Sequence, residues 1–545
     1  MTMTSLTPSR FHTLHAGFVA STARWPDRRA LLLGDESWTY REVDANARRL
    51  AAGLLKISKQ PKRVGILARR SLTSYTGVIG ALLSGAAFVP LNPTLPSARL
   101  RAIADAAELD AIICESKYVA LLRTLFEDRT SRPPVILADA ARSGDEPASG
   151  TTILDLNDFR TITPLDVAVS VSPDEIAYIL FTSGSTGVPK GVPISHANAA
   201  SFLNVNIERY AIEPKDVLSQ TFEQSFDLSV FDIFMAWSAG ATLCAFTPTE
   251  LLAPLSVVQS RGVTVWFSVP SIIAMQIKLG SLLPGCLPSL RLSLFCGEPL
   301  AREHAEVWQR AAPASVLENL YGPTELTIAC ATHRWDPTTS PGQCSNGIVS
   351  IGRPYATLSW QILDHEFQPV ARGESGELCV TGPQAFAGYW RNPAATMAAF
   401  CDAADREGAS ARFYRTGDLV RELPSGELVF IGRRDHQIKL GGHRIELGDI
   451  EAALRAQPGV VEVAAFAWPP GTVTERIVAA VSGHGLDGEA LRLQLRGVLP
   501  AYMVPAEIEI IDSMPRTSSG KLDRRGLSDI LANVTKQPKE SLDAR

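Results

Sequence analysis

The feature that most constrains this chain is a set of short, wholly apolar runs separated by stretches with helical spacing. Val64-Gly-Ile-Leu67, Ala87-Phe-Val-Pro-Leu91, Ala111-Ile-Ile-Cys114 and Val135-Ile-Leu137 show no polar alternation. Strands of that kind are buried on both faces, as in parallel sheets covered by helices. Tyr40–Leu55, with Val43, Ala47, Leu50 and Leu54 near helical spacing, and Tyr75–Ser84 read as helices. Ala30–Leu33 and Ser37–Tyr40 read as a hairpin around Gly34-Asp35. The pattern predicts an α/β fold with a layered, largely parallel sheet.

Further along, His196–Tyr210 and Leu228–Ala239 read as helices among strands at Val217–Thr221, Ala241–Phe246, Val263–Phe267 and Leu290–Cys296. Residues 345–435 change to short strands and Gly/Pro turns, a β-rich subdomain. Residues 139–172, rich in Ser, Asp, Thr and Pro, read as a surface connection. The charged stretch Gly432-Arg-Arg-Asp-His436 places a domain boundary at Asp435, giving a core of 1–434 and a small α+β domain of 435–545. More than one domain is expected of 545 residues.

A net charge of −5 leaves no basic footprint for nucleic acid. Eight cysteines are scattered without a C-x-x-C pair, which disfavours zinc and a disulfide framework and points to a reducing compartment. His12 and His15 are read as surface residues, because no third ligand accompanies them. No signal peptide and no apolar span of about 18 residues is present. A cytoplasmic protein with no membrane partner is expected.

One loop stands out. Ile179-Leu180-Phe181 reads as a buried strand entering Thr182-Ser183-Gly184-Ser185-Thr186-Gly187, with Lys190 close behind. Glycines allow close backbone approach, and hydroxyls, N–H groups and one cation suit a polyphosphate. It is not a Walker A loop, since Pro189-Lys190-Gly191 stands where Gly-Lys-Ser/Thr is required. Taken alone, it also reads as a flexible turn. Gly483-His-Gly-Leu-Asp-Gly488 matches G-x-G-x-x-G between a strand and a helix. A lone fingerprint in so small a domain is better read as a glycine-rich turn.

Ten segments between residues 38 and 524 fall in one recognisable order. They include WTYREVDANARRLA (38–51), the loop itself, FDLSVFDIF (226–234), NLYGPTELT (319–327), GELCVTGPQAFAGYW (376–390), YRTGDL (414–419), GRRDHQIKLGGHRIELGDIE (432–451) and PRTSSGKLDR (515–524). Together they resemble the adenylate-forming enzymes, and specifically the amino-acid adenylation domains of nonribosomal peptide synthesis. The resemblance implies a large N-terminal domain hinged at Asp435 to a small mobile one. It also implies two steps: a carboxylate attacks the α-phosphorus of ATP, and a thiol then captures the acyl group.

The resemblance assigns Thr182, Ser183, Gly184, Ser185, Thr186, Gly187 and Lys190 to the phosphates, with Asn319, Tyr321, Gly322 and Thr324 lining the nucleotide. Tyr321 would lie against adenine, Asp418 would accept from the ribose hydroxyls, and Arg433 would add a ribose or phosphate contact. Glu325 would bind Mg²⁺, a hard cation that prefers carboxylate oxygen. Lys521 would bridge substrate carboxylate and α-phosphate, where charge builds in the transition state. Lys439 would serve the second step. From the residues alone, Tyr321 also reads as a core aromatic, Glu325 as a solvated turn residue, Asp418 as a turn closer and Lys521 as a solvated lysine. Gly441 stands where the family carries Arg, and Asn92 where it carries Asp.

Asp227 reads as an N-cap for the following helix or, by resemblance, as the partner of a substrate α-ammonium. The side-chain pocket would be Leu228, Phe231, Ser268, Leu294, Cys296, Leu320, Ile328 and Ala329, closed by Lys521. It lacks other charges, so a neutral amino acid is expected, proline-like or small to medium aliphatic, and Ser268 could bond a hydroxyl. The expected partner is a separate carrier protein with a phosphopantetheine arm, loaded by a free-standing enzyme. An acyl- or aryl-CoA ligase on the same fold is the alternative.

Overall fold

The computed structural model describes residues 11–129, 132–139, 151–182, 189–406, 408–435, 437–468, 476–516 and 527. Ser183, Gly184, Ser185, Thr186, Gly187, Lys521 and the polar C-terminal stretch lie outside them. One compact unit comprises Met1–Pro93, Leu100–Thr182 and Lys190–Arg434. The second comprises Thr94–Arg99, Ser183–Pro189 and Asp435–Arg545.

The larger unit is α/β, with two sheets whose interiors are parallel. A nine-stranded sheet runs 353–354, 331–334, 316–321, 292–295, 265–268, 217–220, 242–245, 29–33, 36–39. Its six central strands are parallel, and antiparallel strands close both edges. A seven-stranded sheet runs 153–154, 135–136, 111–114, 63–67, 87–90, 176–182, 190–195, parallel except for its last pair. The apolar runs occupy its buried strands. Residues 359–433 add a five-stranded antiparallel sheet.

Helices are started by local chemistry and tied to the sheets by buried donors. Thr39 and Glu42 form a capping box on Tyr40–Ile57, and Ser195 and Asn198 one on His196–Tyr210. Tyr40 Oη donates to Ala241 O at 2.7 Å and Trp237 Nε1 to Ala30 O at 2.9 Å. Each anchors a large ring without leaving its polar atom unpaired.

Two expectations are corrected. His15 is buried, 6% exposed, and packs edge-on against His196 with ring centroids 5.6 Å apart. The stretch 139–172 is not only a surface connection. Ile153–Leu154 adds a strand to the seven-stranded sheet, and Asp155 caps the helix Leu156–Thr161, whose Phe159 is buried.

In the second unit the strands 460–468, 476–483 and 507–510 form one sheet. The G-x-G-x-x-G segment joins the strand Arg476–Gly483 to the helix Gly488–Leu495, whose N-cap is Asp487, accepting from Ala490 N. A Cβ on Gly488 would come within 2.4 Å of Ile508 O. The last glycine therefore serves helix–strand packing, and a carboxylate occupies the helix N-terminus that a phosphate would need.

Candidate active site

The strand Val316–Tyr321 delivers Asn319 and Tyr321 at its C-terminal end. Tyr321 Oη donates to Asp418 Oδ2 at 2.5 Å. Burial, and then the Asp418 charge, push the phenol far above its usual pKa, so it stays a donor. Asp418 lies within the strand Ser410–Glu422, opposite Arg433, rather than closing a turn. Arg433 Nη1 pairs with Asp418 Oδ1, and Asp418 N donates to Thr416 Oγ1 at 3.1 Å. Each carboxylate oxygen still has a lone pair to offer. Behind them, buried Glu377 accepts from Gly417 N at 3.1 Å and pairs with Arg415 and Arg434. Thr416, Glu377 and Arg434 do not stand out in the sequence, because nothing local marks them.

Asn319 is buried, and its Nδ2 donates to Ser350 O at 2.9 Å. Its Oδ1 has no hydrogen-bond partner. A buried acceptor left open costs about 1–3 kcal/mol, so it fits a ligand donor such as an exocyclic amine. Gly322 follows Tyr321, and a Cβ there would meet Ala329 Cα at 2.6 Å. Only glycine lets the two strands of this turn approach so closely.

The turn after Gly322 carries Thr324 and Glu325 in one short 3₁₀ segment. Glu325 is fully buried, and Tyr389 Oη donates to its Oε1 at 2.7 Å. It is thus not a solvated turn residue. Thr327 and Ile328 then take φ of +58° and +76°. Consecutive β-branched residues in that region cost on the order of 1–3 kcal/mol each. Thr182 and Lys190 pair directly across the antiparallel strands that flank residues 183–189. Lys190 Nζ lies 5.7 Å from the Tyr389 ring centroid.

Asp227 occupies the N-cap position of the helix Leu228–Ser238 but makes no capping bond. Its φ of −63° and ψ of −24° already continue the helix, which turns the carboxylate away from the first N–H groups. The N-cap reading of Asp227 is thereby corrected. Asp227 is 8% exposed, and its charge, after burial, raises the pKa of Tyr178, whose hydroxyl is buried without a hydrogen-bond partner. One turn into the helix, burial pushes the Asp232 carboxyl well above its usual pKa, which favours its neutral form.

Leu228, Phe231, Leu294, Cys296, Leu320, Ile328 and Ala329 belong to one buried apolar cluster. Ser268 does not face it. Phe267 pairs with Leu294 across neighbouring strands, while Ser268 shares the opposite face with Trp266. Trp266 Nε1 donates to Ser268 Oγ at 2.9 Å, and Ser268 Oγ donates to Val269 O at 3.1 Å. The hydroxyl expected to meet a substrate is already committed to the wall behind. Phe267 belongs to the cluster instead, and its ring meets Phe231 at 4.9 Å and Phe222 at 5.0 Å between centroids. Strand alternation in Val265-Trp-Phe-Ser268 is the signal in the sequence that could have found it.

Within the second unit, Lys439 is half-buried on the strand Gln437–Leu440, opposite Arg444. Gly441 and Gly442, with φ of +58° and +78°, make the two-residue loop of that hairpin. This is the turn type in which glycine is favoured at both positions.

A family model described as AMP-binding enzyme matches residues 18–390, and one described as AMP-binding enzyme C-terminal domain matches 449–521. The chain is 35% identical to a probable non-canonical nonribosomal peptide synthetase, CymA, of Salinispora arenicola over 94% of its own length, but spans only 6% of that protein. It is 32% identical to an L-proline–[L-prolyl-carrier protein] ligase of Pseudomonas fluorescens, covering 94% of this chain and 98% of that one. Among solved structures, it superposes on the adenylation domain AlmE of Vibrio cholerae, in complex with glycyl-adenosine-5'-phosphate, with a TM-score of 0.83. The two are 28% identical, covering 98% of this chain and 99% of that one.

Proposed function

We propose an amino-acid-activating role for this chain, which belongs to the AMP-binding enzyme family. It activates a neutral L-amino acid, proline-like or small to medium aliphatic, as the aminoacyl adenylate and transfers it to the phosphopantetheine thiol of a carrier protein. The observation that carries the reading is Asp227: a buried carboxylate next in the chain to Leu228 of the hydrophobic cluster, making no capping bond to its own helix. It suits an α-ammonium, which fatty and aryl acids lack. The relatives' names agree with a carrier-protein ligase.

In this reading, Tyr321 offers its face to adenine and Asn319 Oδ1 takes a proton donor from the base. Asp418 accepts from the ribose hydroxyls, and Thr324, Thr182 and Lys190 serve the phosphates. The substrate carboxylate attacks the α-phosphorus and pyrophosphate leaves, with Lys521 balancing the charge that develops. Glu325 is the residue suited to Mg²⁺. Among the described residues no cluster of three acidic, histidine or cysteine side chains could hold a metal. Mg²⁺ is commonly held by one or two carboxylates together with substrate phosphates, whose charge it would neutralise here. Asp435 is the proposed hinge, and Lys439 the contact made after rotation.

Rings at Phe222, Phe231 and Phe267 narrow the site, which favours compact or cyclic side chains over long ones. Charged side chains would be rejected by desolvation. All eight cysteines are free thiols, and no helix among the described residues is long and apolar enough to cross a membrane. A cytoplasmic setting fits both. ATP–pyrophosphate exchange across the amino acids, beside one fatty and one aryl acid, tests the proposal. Exchange with a fatty or aryl acid alone would favour a CoA ligase, and none with any acid would remove the activity.

A further inference from the structure

The turn carrying Glu325, Ile328 and Ala329 is strained, and something must hold it. Gln384 is fully buried and meets it from the neighbouring segment 383–389. Gln384 Nε2 donates to Ala329 O at 2.9 Å and to Leu326 O at 3.3 Å. Thr327 Oγ1 donates to Gln384 O at 2.6 Å. Two residues on, Phe386 N donates to Glu325 O at 2.9 Å. These bonds engage the turn on both sides of the left-handed pair Thr327-Ile328.

The amide is oriented by its donor. Gln384 Oε1 is buried without a hydrogen-bond partner. Leaving that acceptor unpaired is a cost, which the two bonds donated by Nε2 offset. The donor end closes the carbonyls that a positive-φ turn leaves pointing off any regular ladder.

We propose that Gln384 is a positioning residue that couples the two halves of the active site. It clamps one turn whose first part presents Glu325 to the nucleotide and whose last part, Ile328-Ala329, forms a wall of the amino-acid pocket. The inference rests on the amino-acid-activating reading above. A clamp of this kind sets the affinity for both substrates together, because the turn cannot relax at one end without shifting at the other.

The experiment compares Gln384→Leu with Gln361→Leu in the full-length protein. Gln361 is likewise buried and its Nε2 donates to a carbonyl, Ala404 O at 2.9 Å, in the antiparallel sheet away from this turn. The measurements are pyrophosphate-exchange KM values for ATP and for the amino acid, the exchange panel, and the thermal midpoint. Gln384→Leu is expected to raise both KM values on the order of tenfold to a hundredfold and to broaden the panel. Gln361→Leu is expected to lower the midpoint and leave KM and panel alone. Gln384→Asn, which keeps a shorter donor, should recover part of the loss. If Gln384→Leu changes only the midpoint, as Gln361→Leu does, the positioning role is refuted while the activity stands. A wild-type protein silent with every acid removes the activity, and this assignment with it.

Discussion

Phe267 and Phe231 meet edge to face, 4.9 Å between ring centroids, on the apolar side of the strand whose other side carries Ser268. Adjacent residues thus have opposite fates. Phe267→Ala should open the pocket and shift the exchange panel toward larger side chains. Ser268→Ala should leave the panel unchanged and cost about 1–3 kcal/mol of stability, because Trp266 Nε1 loses its acceptor. A panel altered by the serine change and not by the phenylalanine change would reverse this assignment.

Tyr321→Phe keeps the aromatic face and removes the 2.5 Å bond to Asp418. A hydrogen bond to a charged group is worth about 1.5–3 kcal/mol. The KM for ATP should therefore rise about tenfold to a hundredfold, with the amino-acid KM little changed. Equal rises in both would mean that Tyr321 acts on the whole site rather than on the nucleotide.

Asp227→Ala would leave a buried substrate ammonium unpaired. The cost should be about 3–5 kcal/mol in kcat/KM for the preferred amino acid. The same variant should bind ATP as the wild type does, read by calorimetry. Retention of full exchange activity would point to a substrate without an α-ammonium.

His15 and His196 make folding sensitive to mild acid. Burial lowers the pKa of His15 to about 4; burial, and then the charge of His15, lower that of His196 to about 3. Both folded values lie below the ordinary 6.5, so the unfolded chain takes up protons first. The stability they contribute is present above about pH 6.5 and is lost as pH falls toward the folded values, by about 1.4 kcal/mol per pH unit per histidine. Urea unfolding at about pH 7 and about pH 5.5 reads this loss. His196→Gln, which keeps an acceptor for Leu14 N, should remove about half of the slope.

Lys521→Ala should nearly abolish adenylate formation while sparing thioester transfer from a supplied adenylate. Survival of both half-reactions would reassign the catalytic cation.

The longer helices, among them Tyr40–Ile57 and His196–Tyr210, and most of the strands are legible because they rest on local spacing, whereas helices such as Ser97–Ala107 and Arg302–Ala311 are not read from it. Continuous apolar runs mark buried parallel strands, and the start of His196–Tyr210 is marked by its capping box. The motifs single out Tyr321, Glu325 and Asp418 as candidates, and the structure bonds Tyr321 to Asp418, Asp418 to Arg433, and separately Tyr389 to Glu325. His15 reads wrongly as a surface residue because nothing in its neighbours reveals that His196, far along the chain, packs against it.

By itself the sequence determined the α/β class, through the local spacing of apolar residues, and the family, through the order of its motifs. Only the tertiary structure decided that Phe267 rather than Ser268 joins the apolar cluster of Leu294 and Phe231, that Asp227 makes no capping bond to its helix, and that Gln384 is bonded to the Glu325–Ala329 turn. Which face of a strand meets the apolar cluster is set by sheet register, and a shift of one residue reverses it. A clamp between residues 384 and 329 exists only once distant strands have paired, and no local pattern records it.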